Sequence, residues 1–353
     1  MSMLSGIRVL DFTTLLPGPY ASLRLSELGA TVIQVEPPAG DPARHIGPKR
    51  AGEGVVFAAN HRGKQSVRLN LKSSEDCARA LVLAAEADVV LEGFRPGVAE
   101  ALGIGYDAVR SRNPGVIYCS LTGYGQYGPW SARAGHDINF LAASGVQSLL
   151  VDEAGRPVMP RLQLADLLGG IAAAEAILAA LVQRARTGRG GRIDLSMTDV
   201  LMGLLPTHAA LPDDPEGTLG IPELSGRYVC YHIYRTADDR FVSLGALETK
   251  FWARFCRALG REAWVDAQFS HAVDENPVYK ELCRLFEGRL LAEWKAFSLE
   301  VDCCLQPVLS PREAFCSAHA KARRLVAEES GSAGAGLRVF TSAGGHGAYA
   351  CHR

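Results

Sequence analysis

Apolar and polar positions along the first 130 residues recur with two alternating periods. Four short runs have the length and β-branched content of buried strands: residues 7–12, 31–35, 88–92 and 116–121. Residues 20–28 and 73–87 instead repeat apolar side chains at helical spacing. Gly29 stops the first, and Ser73 or Ser74 caps the second. Pro17-Gly18-Pro19 reads as a turn, and residues 66–71 as a further extended segment. Strand–helix–strand alternation predicts an α/β fold, a parallel sheet with helices on both faces.

Beyond that region the pattern changes. Residues 136–185 read as helical with a break near 150–160, and residues 192–195 as a strand. Pro, Gly and Asp crowd the stretch around residues 205–225, which reads as a linker. Residues 228–244 alternate like a hairpin turning at Ala237-Asp238-Asp239, and helical segments follow to about residue 301. The expected organisation is a large α/β domain over 1–205, a linker over 206–224 and a small domain over 225–305. A C-terminal segment over 306–353 returns toward the large domain. Its Gly/Ser/Ala-rich tail from Ser330 has the composition of a poorly ordered terminus.

Composition narrows the function classes. The 353 residues carry a formal charge of -1, so no global field draws in nucleic acid or an anionic membrane. Nine cysteines, an odd number without a CxxC, point to a reducing, cytoplasmic setting and not to a disulfide framework. Nine histidines form no HExxH, and no metal site is expected. The N-terminus lacks the pattern of a secretory signal. The most apolar stretch, residues 162–182, is interrupted by Gln163, Asp166 and Glu175 and reads as a buried helix.

Candidate chemistry sits at element junctions. The first turn lacks the G-x-G-x-x-G spacing that brings backbone against a pyrophosphate, which disfavours a nicotinamide site. Asp166 opens a long Ala/Leu helix, so it is either a cap or an acid/base poised between burial and a helix N-terminus. His136 lies at a loop-to-helix junction, where a neutral imidazole is a competent base or simply a capping residue. Glu248 begins another helix, a position where an acid commonly complements the dipole. Basic residues in 60–64 and 69–72, and Arg95, stand beside strand ends, where they either bind phosphate or form solvated surface.

Taken in order, these segments resemble one family. Leu10-Asp11-Phe12 with Pro17-Gly18-Pro19, residues 28–37, residues 60–66, Glu92-Gly93-Phe94-Arg95-Pro96-Gly97, Gly123-Tyr124-Gly125 and Gly188-Arg189-Gly190-Gly191 are similar to the motifs of family III CoA-transferases. Gly135-His136-Asp137-Ile138-Asn139-Phe140 and Gly245-Ala246-Leu247-Glu248 resemble the α-methylacyl-CoA racemase branch. Two departures stand out: Ala101 replaces an Arg common in relatives, and the sequence after about residue 327 is unlike the usual ending.

The resemblance implies a Rossmann-like large domain, a smaller α+β domain and an interlocked homodimer. It implies His136, Asp166 and Glu248 as catalytic residues, with Glu248 coming from the second subunit. CoA would run along Leu69, Asn70, Leu71, Lys72, Phe94 and Arg95, and the chemistry calls for no metal or redox cofactor. A racemase removes the proton α to a thioester and returns one on the other face, so two groups are needed. The backbone N–H of Asp137 is the candidate donor to the enolate oxygen. Two alternatives stand beside racemisation. One is a CoA-transferase working through an Asp166 acyl anhydride; the other is a non-catalytic acyl-CoA-binding homologue.

Overall fold

In the computed structural model, which describes residues 2–50, 52–211, 220–329 and 337–340, the chain is an α/β protein of two units. The first comprises residues 1–206 and 317–353, the second residues 207–316. Most of the tail from Ser330, and residues 212–219 of the linker, lie outside the described residues.

The first unit is built on six parallel strands. In chain order its main elements are β1 (Arg8–Asp11), α1 (Pro17–Glu27), β2 (Thr31–Glu36), β3 (Gln65–Arg68), α2 (Ser74–Ala85), β4 (Val89–Glu92), β5 (Ile117–Thr122), α3 (Asp137–Ser144), α4 (Leu164–Thr187) and β6 (Gly191–Ser196). Across the sheet the order is β3-β2-β1-β4-β5-β6. Every neighbouring pair is parallel. Successive strand residues enter opposite cores, as a pleat requires. Val9, Val89, Leu91, Ile117 and Cys119 face a cluster that includes Ala21 and Leu25 of α1 and Ala173 and Ile177 of α4. Leu10, Val90 and Tyr118 face the cluster containing Ala80, Leu81 and Ala84 of α2. Burial on both faces explains why these strands read as continuous apolar runs.

Two sequence expectations shift. Pro17 is the first residue of α1 and not part of a turn before it. Its fixed φ and missing N–H suit that position. The extended segment after Lys64 is β3, ending at Arg68, so residues 69–71 lie beyond the sheet. Within α4, Gly170 lets the helix approach the start of α1. A Cβ there would stand 2.6 Å from the Pro17 carbonyl oxygen. Length and composition alone would also permit α4 to cross a membrane. Here its Ala165, Gly169, Gly170, Ala173, Ala174 and Ile177 face is buried in the first unit.

The second unit has its own core. Strands β7 (Tyr231–Arg235) and β8 (Phe241–Gly245) form the expected antiparallel hairpin, and β9 (Leu305–Pro307) adds to β8. Asp239 in the connecting turn has φ 59°. Helix α5 (Thr249–Ala258) and the helices after it bury Trp252, Phe255, Phe286 and Trp294, with Tyr234 stacked on Phe286 at 4.4 Å between ring centres.

Candidate active site

In the first unit the strand order reverses direction between β1 and β4, which opens a crevice at their carboxyl ends. A cleft of about 440 Å³ occupies this position. Its walls come from Thr13, Thr14 and Leu15 after β1, Gly93, Phe94 and Arg95 after β4, and the end of β5 with Tyr124. His136, Asn139 and Phe140 at the start of α3, Asp166 in the first turn of α4, and Met197 complete it. His136 and Asp166 are therefore brought to one cavity, each at the N-terminal end of its own helix.

Asp166 is half-buried. Burial, followed by the nearby Asp137 carboxylate, pushes its carboxyl up from 3.8 to about 7. The capping role that competed for Asp166 belongs to Asp137, whose Oδ1 accepts the Asp166 N–H at 3.1 Å. Asp166 thus keeps its carboxylate for the cleft. His136 is exposed at the N-cap of α3, and its N–H donates to Asn139 Oδ1 at 3.0 Å. Phe140 anchors this junction, pressing so closely on Gly135 and Gly123 that an added Cβ would lie 2.5 and 2.2 Å from its ring. Tyr124 meets the same ring edge-on at 5.1 Å. Asp137 does not itself line the cleft, but its N–H lies in the first turn of α3, where helix donors lack intrahelical acceptors.

The residues expected along the CoA path divide. Phe94 and Arg95 line the cleft, and the Phe94 N–H donates to buried Glu92 Oε2 at 2.7 Å. Leu69 is 2% exposed and packs in the core beneath α2, and its N–H donates to the Glu36 carbonyl at 3.0 Å. Leu71 packs at the edge of that core, while Asn70 and Lys72 are exposed outside the cleft lining. Glu248 is exposed at the N-cap of α5 in the second unit.

Two cations singled out from sequence serve the fold. The Lys64 side chain is 1% exposed. Its Nζ donates to the Pro19 carbonyl and to Ser22 Oγ, each at 2.7 Å, and lies 3.8 Å from Asp11 Oδ2. Burial lowers its pKa to about 8 despite Asp11 and Asp41. Arg62 pairs with Glu27 and donates to the Ala59 carbonyl at 2.6 Å. Neither is a free phosphate ligand. Sequence reasoning missed Thr13, Thr14, Arg133, Asn139 and Met197 as lining residues. Only Asn139 carried a signal, three residues after His136, the reciprocal spacing of a capping pair.

An open parallel-sheet α/β unit with an imidazole and a perturbed carboxyl at its strand-order reversal defines the class. The chain belongs to CoA-transferase family III, whose family model matches residues 4–344. Alpha-methylacyl-CoA racemase of Mus musculus is 36% identical over 327 residues, 91% of this chain and 81% of that one. Succinyl-CoA:glutarate CoA-transferase of Mus musculus is 34% identical over 343 residues, 93% of this chain and 77% of that one. A solved CAIB/BAIF family protein from Brucella suis superposes with a TM-score of 0.82 at 26% identity, covering 98% of both chains. Relatives at similar identity thus include both a racemase and a transferase.

Proposed function

We propose that the protein is an isomerase of 2-methylacyl-CoA thioesters, exchanging the proton on the carbon α to the thioester carbonyl. The observation that carries this reading is the meeting of His136 and Asp166 in one cleft, on two different helix starts. Inversion needs one group to take the proton from one face and a second, already protonated, to deliver one to the other. A carboxyl held near 7 is competent in either role at neutral pH. The electron pair released from the C–H bond rests on the thioester oxygen as an enolate. The Asp137 N–H is the proposed donor to it. Coenzyme A enters as part of the substrate, with Phe94 and Arg95 beside it, and no further cofactor is proposed.

By the same reading the enzyme is a cytoplasmic homodimer, with Glu248 of the second subunit supporting His136.

The test is α-proton exchange in deuterium oxide with (R)- and (S)-2-methylacyl-CoA. The wild type is expected to label and interconvert both epimers, with His136→Ala and Asp166→Ala each slowed at least ~100-fold. The second reading, CoA transfer, is favoured by the 34% identity to a transferase over nearly the whole chain. In that reaction the Asp166 carboxylate attacks the thioester carbonyl, CoA thiolate leaves, and His136 is dispensable. Transfer to added succinate or glutarate that survives His136→Ala, without α-proton exchange, would replace the isomerase with the transferase.

A further inference from the structure

The loop between β1 and α1 forms one wall of the cleft through Thr13, Thr14 and Leu15. Leu15 has φ 69°, a left-handed conformation that a leucine does not hold unaided. The loop has no cap of its own, because Leu16 at the N-cap of α1 offers no side-chain acceptor. The restraint comes from 26 residues further on. The Leu15 N–H donates to Asp41 Oδ1 and Oδ2 at 3.1 and 3.2 Å.

Asp41 is fully buried and is itself fixed from three sides. Its Oδ1 also accepts the Ala43 N–H at 2.8 Å, and its own N–H donates to Glu36 Oε2 at 2.8 Å. Glu36 is held in turn by Arg44, whose guanidinium lies 3.7 Å over the Phe57 ring. The His61 ring, stacked on Phe57, places Nε2 3.4 Å from Asp41 Oδ2. Burial opposes ionisation of Asp41, but His61 and the two N–H donors outweigh it and hold the carboxyl below its ordinary value. A rigid, ionised acceptor therefore faces the one strained residue of the wall.

We infer that Asp41 is a positioning residue for the reaction, locking Leu15 in its left-handed conformation and so setting the shape of the cleft. The inference rests on the reading of the cleft as the acyl-CoA site. Asp41 touches no substrate; it acts through the Leu15 backbone.

The test is a double-mutant cycle with amide exchange alongside. In Asp41→Ala the acyl-CoA reaction (proton exchange or CoA transfer, whichever the wild type performs) is expected to fall at least ~10-fold, and Leu15 amide exchange to quicken by a similar factor. Glycine holds the left-handed conformation without restraint. In the Leu15→Gly background, Asp41→Ala should therefore lower the rate less than ~3-fold, although the melting temperature still drops. Asp41→Asn, which keeps an acceptor oxygen, should retain most of the rate and the Leu15 protection. Equal rate losses in both backgrounds would overturn the inference, leaving Asp41 a merely structural residue. So would a Leu15 amide that exchanges at the rate of a free loop in the wild type, a measurement that needs no variant to fold. If the wild type moves neither proton nor CoA, the functional reading fails while amide exchange still judges the clamp.

Discussion

Asp166 illustrates how one side chain ties stability to chemistry. Its carboxyl is raised to about 7 in the fold, against an ordinary 3.8. Below the lower value it is protonated in both states and the fold loses nothing. Between the two, the folded state keeps a proton that the unfolded state releases, so stability falls as pH rises, and the full cost remains above 7. Asp166→Asn, a mimic of the protonated form, is therefore expected to melt a few degrees higher than wild type at pH 8. The gain, on the order of 1–2 kcal/mol after allowance for partial exposure, should vanish as pH approaches 4. Calorimetry across that range checks it, and activity should be lost throughout. Asp137→Asn keeps an acceptor oxygen for the Asp166 N–H but removes the neighbouring charge. The limb of the pH–rate profile that reports Asp166 should then move to lower pH. Sequence exposed Asp166 because an acid interrupts the first turn of an apolar helix. It hid the role of Asp137, whose partner lies 29 residues away. Lys64 was misread for the same reason: charge is visible in a sequence, whereas burial beneath Pro19 and Ser22 is a property of the folded chain.

At the scale of elements, what was legible followed from periodicity. The strands of the first unit and the β7–β8 hairpin announced themselves because one or both faces are buried, leaving continuous or alternating apolar runs. What escaped was contact between distant segments. Nothing in Leu15 or Asp41 alone marks their pairing, and the Pro-Gly-Pro sequence hides the fact that α1 begins on its first proline. The closeness of α1 and α4 is another such contact, and it carries a prediction. In Gly170→Leu, the new side chain meets Pro17 backbone and cannot be accommodated by a rotamer change. Destabilisation of about 2–3 kcal/mol is expected by denaturant titration. Because Pro17 and Gly18 also line the cleft, the residual activity of the folded fraction should fall as well.

At the scale of the whole molecule, the proposed dimer makes a sharp demand on Glu248. If each site draws this residue from the second subunit, co-expression of Glu248→Ala and Asp166→Ala chains produces mixed dimers. One site of each mixed dimer carries both lesions and the other carries neither. Activity should recover to about a quarter of wild type, from two parents that are each nearly inactive. No recovery, with mixed dimers demonstrated by mass, would assign Glu248 to its own chain's site, and a Glu248→Ala parent as active as wild type would deny it a role. The two-unit division has a consequence of a different kind, in the order of synthesis. All six strands of the parallel sheet lie between Arg8 and Ser196, whereas the second unit spans residues 207–316. On the ribosome the entire sheet, with the cleft, His136 and Asp166, has emerged while the second unit is still being made. The nascent chain can thus complete its first core early and add the second as an insertion into a protein already under construction.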